Sequence, residues 1–228
     1  MTWNAKPSSA LLVMAKYPTP GRTKTRLTPP LSPEQAARLY ECFLLDTLDT
    51  MRQVPQAQPV IAYLPAESEA YFTELAPDFE LLAQHGPDLG ARLDNAITHY
   101  LNLGYERVAI MNSDGPTLPA SYLTNAFERL RGDTDVVLGP AADGGYYLIG
   151  LKRPTPHLLR EVQMSTPQVL ADTMTLTAKE GLHVELLPTW YDVDDGQSLA
   201  RLVDELAATL VTVAPHTRAF LEEFSSIL

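Results

Sequence analysis

Short apolar runs alternate with stretches of helical periodicity along this chain. Residues 10–15 (ALLVMA), 59–64 (PVIAYL), 79–83, 108–111 (VAIM), 135–138 (DVVL), 146–151 (YYLIGL) and 183–187 have the length of buried strands. Between the first two, Ala36, Leu39, Tyr40, Phe43, Leu44, Thr47, Leu48 and Met51 recur at helical spacing. That helix announces its start: Ser32 can cap, Pro33 suits the first helical position, and Gln35 completes a capping box. Further helices are predicted over 67–76, 91–103, 120–130, 167–180, 197–210 and 215–224, with Gly104 and Gly181 as stops. Residues 1–9 read as a loose start. Strands alternating with helices predict an α/β fold with a mainly parallel sheet covered on both faces. No repeat, low-complexity tract or linker divides the chain, so a single domain is expected.

The run at 108–111 breaks at Asn112-Ser113-Asp114-Gly115-Pro116, a cluster of turn formers. Asp114 is thereby presented at the C-terminal end of a strand, the edge where open α/β sheets bind ligands. A carboxylate there either closes its own turn through an Asx hydrogen bond or offers a hard oxygen to Mg²⁺ or Mn²⁺ near a phosphate.

Charge narrows the partners. The formal net charge is −11, with 17 Lys and Arg against 28 Asp and Glu. Such a chain lacks the basic face that nucleic acid needs. It can still bind a small phosphorylated ligand where its cations gather. Cys42 is the only cysteine, so no intrachain disulfide forms, and it lies off the helical stripe as a structural residue. No signal-peptide pattern or membrane-length apolar stretch is present, and a cytoplasmic location is expected.

Four loops carry the chemistry. The first holds Lys16, Arg22, Lys24 and Arg26 with Gly21, which permits close backbone approach. Cations and exposed amides at a strand end make an anion cradle. It is not a Walker A loop, because Thr23 rather than Gly precedes Lys24; a solvated charge run is the other reading. The second loop holds Gln84, Asp88, Gly90 and Arg92. The Gln84 amide can read a base, or the loop is a helix N-terminus with polar decoration. The third is Gly139-Pro-Ala-Ala-Asp-Gly-Gly-Tyr-Tyr147, where Asp143 either belongs to a hairpin turn or faces a substrate. The fourth, Asp192-Val-Asp-Asp195, sets three carboxylates in four residues, whose repulsion a divalent cation would relieve. Asp195 capping a helix is the plainer reading. No Gly-x-Ser-x-Gly elbow and no His metal spacing is found.

These loops, in this order, resemble the bacterial GT-A-like transferases known as rSAM-associated transferase 1 or arsenosugar-biosynthesis glycosyltransferases. The resemblance covers about residues 10–205. It rests on Lys16-x-Pro-x-Pro-Gly-x-x-Lys-Thr-Arg-Leu27, Gln84-x-Gly-x-Asp-Leu-Gly-x-Arg92, Ser113-Asp-x-Pro116, Gly139-Pro-Ala-x-Asp-Gly-Gly-Tyr-Tyr-Leu148 and Asp192-Val-Asp194. It departs from the family at Met164, where Trp is usual before Ser-Thr, and at Asp195, where Thr is usual.

The resemblance implies a nucleotide-diphospho-sugar transferase fold and a metal-dependent glycosyltransferase acting on a small-molecule acceptor. It also implies more distant kinship to guanylyl- and cytidylyltransferases, so nucleotidyl transfer from a nucleoside triphosphate stands as the alternative. On this reading Asp114 and Asp194 hold Mg²⁺ or Mn²⁺, with Asp192 as substitute or supporting partner. Lys16, Gly21, Arg22, Lys24 and Arg26 take the phosphates, Lys24 also aiding the chemical step. Gln84 and Arg92 place the nucleotide, and Asp143 serves the acceptor, as base. Neither nucleic acid nor membrane is an expected partner. The oligomeric state is left open.

Overall fold

The computed structural model describes residues 7–224. Among them, seven strands form one sheet: β1 (Ser9–Lys16), β2 (Ala57–Leu64), β3 (Glu80–Ala83), β4 (Arg107–Met111), β5 (Val136–Pro140), β6 (Tyr146–Leu151) and β7 (Val184–Leu186). Their order is β3-β2-β1-β4-β6-β5-β7. Neighbours are parallel except at β6, which runs antiparallel to both β4 and β5. The helices are α1 (Pro33–Arg52), α2 (Glu69–Leu75), α3 (Leu89–Asn102), α4 (Ala120–Arg131), α5 (His157–Arg160), α6 (Val169–Lys179), α7 (Gly196–Ala208) and α8 (Pro215–Glu223).

The strands are apolar without alternation because both faces of the sheet are covered. On one face Leu11 and Val13 pack with Leu44 and Leu48 of α1, Phe72 of α2 and Phe127 of α4. On the other, Ala10 and Leu12 pack with Ile97 of α3 and Leu158 of α5. A third cluster joins α1, α7 and α8 through Phe43, Leu202 and Phe220. The capping box of α1 is formed: Gln35 N–H donates to Ser32 Oγ at 3.2 Å, and Ser32 N–H donates to Gln35 Oε1 at 2.7 Å. Cys42 is half-buried, and burial pushes its thiol up to about 11.

Element boundaries move by one or two residues from those expected. The expected loose start is corrected at its end: Ser9 begins β1, and the Ser8 carbonyl accepts from Glu106 and Arg107 N–H at 2.9 and 3.3 Å. Residues 1–6, the rest of that expectation, lie outside the described residues. Helix α5 was not foreseen, because four residues are too few to show a period. No described helix is long and apolar enough to cross a membrane.

Candidate active site

The C-terminal ends of β1, β4, β5 and β7 lie along one edge of the sheet, so the loops that follow them converge. They border a cleft of about 640 Å³ lined by Lys16, Arg22, Lys24, Arg26, Asp114, Asp143, Asp192 and Asp194, among others. That volume is within the range of small-molecule sites.

Lys24 stands at its centre. Its backbone takes the left-handed conformation (φ 50°, ψ 41°) just before a single 3-10 turn, Thr25–Leu27. This turns the side chain inward, where it is only 6% exposed. Its ammonium pairs with Asp114 Oδ1, lies 2.8 Å from Asp194 Oδ1, and donates to the Val193 carbonyl at 2.8 Å. Burial alone would lower the lysine's pKa, but the two carboxylates outweigh it and hold the group protonated above its ordinary range.

Asp114 does not close its own turn. The Asx-like contact belongs to Asn112, whose Oδ1 accepts from Asp114 N–H at 3.3 Å. Asn112 Nδ2 donates to Asp192 Oδ2 at 2.9 Å. The other oxygen, Asp192 Oδ1, is buried without a hydrogen-bond partner. Burial, with the charge of Asp114, raises the Asp192 carboxyl to about 7.

A strap delivers Asp192 and Asp194. Past β7, Trp190 N–H donates to Pro140 O at 3.0 Å and Ala142 N–H to Trp190 O at 2.9 Å, tying the chain to the end of β5. Val193 N–H then donates to Asp114 O at 2.9 Å, which ties it to the turn after β4. Asp195 caps α7 through Ser198 N–H at 2.9 Å, and Arg26 pairs with it at 3.0 Å. Both readings of this acidic run are therefore represented: Asp195 is a cap, while Asp192 and Asp194 face the cleft.

Asp143 sits in a turn at the rim of the cleft. The segment is the hairpin between β5 and β6, and Asp143 Oδ1 accepts from Gly145 N–H at 2.9 Å. The exposed side chain nonetheless borders the cleft. Lys16, at the end of β1, and Arg22 are exposed on the cleft's cationic side, and Gly21, with φ +70°, turns the loop that carries Arg22.

Gln84 and Arg92 do not join this group. The Gln84 amide donates to the carbonyls of Ala62 and Ala15 at 2.6 and 3.2 Å, tying the end of β3 to β2 and β1. Arg92 Nε donates to Gly86 O at 3.2 Å. Neither side chain is among those lining the cleft. The residues missed from sequence are Asn112, Ser113 and Tyr40. The Tyr40 hydroxyl lies 2.9 Å from Ser113 Oγ and accepts from Lys16 N–H at 3.0 Å, and Ser113 donates to Met14 O at 3.1 Å. Tyr40 falls on the buried stripe of α1 and reads as core. Asn112 and Ser113 carried a signal, being the first polar residues after a buried strand.

The sheet order and its edge cleft define the nucleotide-diphospho-sugar transferase type of α/β fold. The chain belongs to a family described as uncharacterized proteins conserved in bacteria (DUF2064), whose model matches residues 47–166. It is 33% identical to a Desulfovibrio desulfuricans protein of known structure that carries the provisional name nucleotide-diphospho-sugar transferase. That likeness covers 96% of each chain with a TM-score of 0.89. The same fold recurs in CMP:2-keto-3-deoxy-manno-octonic acid synthetase complexed with CTP, at 12% identity, 89% and 99% coverage and TM-score 0.58. It recurs in a manganese complex of a Mycobacterium tuberculosis protein, Rv0371C, at 16% identity, 86% and 98% coverage and TM-score 0.53. No curated protein matches the chain in sequence.

Proposed function

We propose that this protein transfers a group from a nucleotide donor to a small acceptor, and that the donor is a nucleotide sugar. The observation that carries the reading is the position of Lys24, whose ammonium joins Asp114 and Asp194 in a cleft that Lys16, Arg22 and Arg26 also border. Carboxylates and cations set side by side at a sheet's C-terminal edge suit a diphosphate and its counter-ion. The name of the Desulfovibrio relative and the resemblance to arsenosugar-forming glycosyltransferases support a sugar donor. The fold shared with a CTP-bound synthetase supports the second reading, nucleotidyl transfer.

The residues present fit a divalent cation. Among the described residues no group of three or more His, Cys, Asp or Glu side chains forms a ready metal cage. A positive charge nevertheless already sits between Asp114 and Asp194, and it is the Lys24 ammonium. Asp192 adds a buried oxygen with no partner. These are the hard oxygens that Mg²⁺ and Mn²⁺ prefer. Asp114 and Asp194 would hold the ion and Asp192 would support it. Such an ion neutralises charge on the departing phosphate.

The chain's own groups supply the rest. Lys16, Arg22 and Arg26 hold the phosphates through charge-assisted hydrogen bonds. Lys24 reaches the same oxygens once its carboxylates are otherwise neutralised. Asp143, its aim fixed by the Gly145 N–H, takes the proton of the acceptor. The lone half-buried cysteine accords with a cytoplasmic setting.

The test is a product assay with Mg²⁺ or Mn²⁺, nucleotide sugars or nucleoside triphosphates, and a panel of acceptors. Release of nucleoside diphosphate supports glycosyl transfer. Pyrophosphate as the sole metal-dependent product replaces it with nucleotidyl transfer, and no metal-dependent product from any donor removes both. Asp143→Asn keeps the turn and should lower turnover far more than donor affinity.

A further inference from the structure

The cleft has two walls of opposite character. One carries Lys24, Asp114, Asp192 and Asp194. The other is formed by Met14 of β1, Ile110 of β4, Tyr146 and Ile149 of β6, Met164, and Leu89 at the start of α3. All of these but Leu89 belong to the apolar cluster on that face of the sheet. Ile110 and Ile149 are buried; Met14, Tyr146 and Met164 are half-buried, and Leu89 is exposed. Apolar side chains kept open beside a charged site hold water at a cost that an apolar ligand removes. Met14 and Met164 are unbranched and polarizable, and such side chains adapt to ligands of varied shape.

A nucleobase does not suit this wall. Its edges carry several donors and acceptors that need partners once buried. These six side chains offer one hydroxyl, that of Tyr146, which already lies 3.8 Å from the Met164 sulfur; beside Met164 the cleft is also lined by Ser165 and by Thr166, whose hydroxyl already donates to Gln163 O at 3.2 Å. Burial holds that phenol above its ordinary pKa, so it is a neutral group. A bare sugar fails for the same reason.

We propose that the apolar wall receives the body of the acceptor, and that the acceptor is an alcohol carried on an alkyl or aromatic frame. The inference rests on the transferase reading only in naming that occupant an acceptor. In the reaction, the acceptor oxygen bonds to the sugar carbon. The bond from that carbon to the donor phosphate oxygen breaks, its electron pair leaving on the nucleoside diphosphate. The hydroxyl proton passes to Asp143.

The experiment measures binding of 1-alkanols from ethanol to 1-octanol to the full chain by calorimetry, with and without saturating UDP, CDP or GDP. Each added methylene should tighten binding about three- to four-fold, as for a methylene fully removed from water, until the wall is covered. Leu89→Asp, at an exposed helix start where an acidic residue is favourable, and Met164→Asp should each flatten the series. A flat series in the unaltered protein overturns the proposal. So does displacement of the alkanols by the nucleoside diphosphate, which would put the base on this wall. Transfer to 1-octanol no better than to glycerol, with nucleoside diphosphate released from both, leaves the transferase standing and removes the apolar acceptor. A steep alkanol series with no product from any donor establishes the apolar site and removes the transferase reading alone.

Discussion

Lys24 lies 2.8 Å from Asp194 although the two are 170 positions apart in sequence. The same ammonium pairs with Asp114, so one lysine stands where two carboxylates could share a metal ion. On the proposed reading a metal ion would compete with the lysine for that place. Lys24→Met should let the nucleotide-free protein bind Mn²⁺ about ten-fold more tightly, since a charge-assisted contact of 1.5–3 kcal/mol no longer has to be broken. Paramagnetic resonance titration measures this, and unchanged or weaker Mn²⁺ binding contradicts it. Asp194 is 44% exposed, so solvent screening holds that pair's share of the metal-free stability to about 1 kcal/mol or less.

The cations differ in how firmly they are held. Arg26 is paired with Asp195 at 3.0 Å, whereas Lys16, at the end of β1, and Arg22, in the loop that follows, are exposed. Arg22→Ala should weaken nucleoside diphosphate binding about ten-fold. Arg26→Ala should weaken it less, because part of that side chain's donor capacity is already spent on Asp195. Calorimetry of the two variants side by side decides the order.

Asp192 sets a pH dependence. Its folded pKa of about 7 stands above the ordinary 3.8. A carboxyl raised on folding contributes stability fully present below its unfolded value and lost as pH rises through the folded one. In chelator, the melting temperature should therefore fall between about pH 4 and pH 7 and level off above, as far as Asp192 determines it. Asp192→Asn should remove that slope and be the more stable protein at pH 8. A slope unchanged by the substitution assigns it elsewhere.

The Gln84 amide nitrogen is engaged by the carbonyls of Ala62 and Ala15. Gln84→Ala should lower stability by about 1–2 kcal/mol, the scale of two side-chain hydrogen bonds lost. Nucleotide affinity should stay within about two-fold, well under 1 kcal/mol. A large loss of affinity in a stable variant would return Gln84 to the nucleotide.

Gly144 has φ +91°, and a Cβ there would lie 2.1 Å from the Pro167 carbonyl oxygen. Both the conformation and the contact exclude a side chain. Gly144→Ala should cost more than about 2 kcal/mol. It should also loosen the wall formed by residues 164–167, which denaturant melts and proteolysis at that segment would reveal.

Strands were the most legible part of this chain because burial on both faces leaves an unbroken apolar run, as at 10–15 and 108–111. The capping box at Ser32 was legible because it is local chemistry. That β6 is antiparallel follows from the tight Asp143-Gly144-Gly145 turn, which the sequence left open between hairpin and substrate loop. In the site, the four loops were recognisable as strand-end punctuation, but their partners were not. Nothing local says that Lys24 turns inward through a left-handed backbone while Arg22, two positions earlier, stays out. The Gln84 contacts were not legible for a similar reason. An amide at a strand end looks the same whether it faces a ligand or the carbonyls of neighbouring strands, and β3 lies at the far end of the sheet.

The strap from β7 has a consequence for biosynthesis. It carries Asp192 and Asp194 past β5 to the turn after β4, and it belongs to the last fifth of the sequence. A nascent chain on the ribosome could form β1 through β4 with the cationic loop in place, yet own a single acidic partner for Lys24. The acidic side of the cleft is complete only once residues 184–195 exist and reach back to the turn after β4.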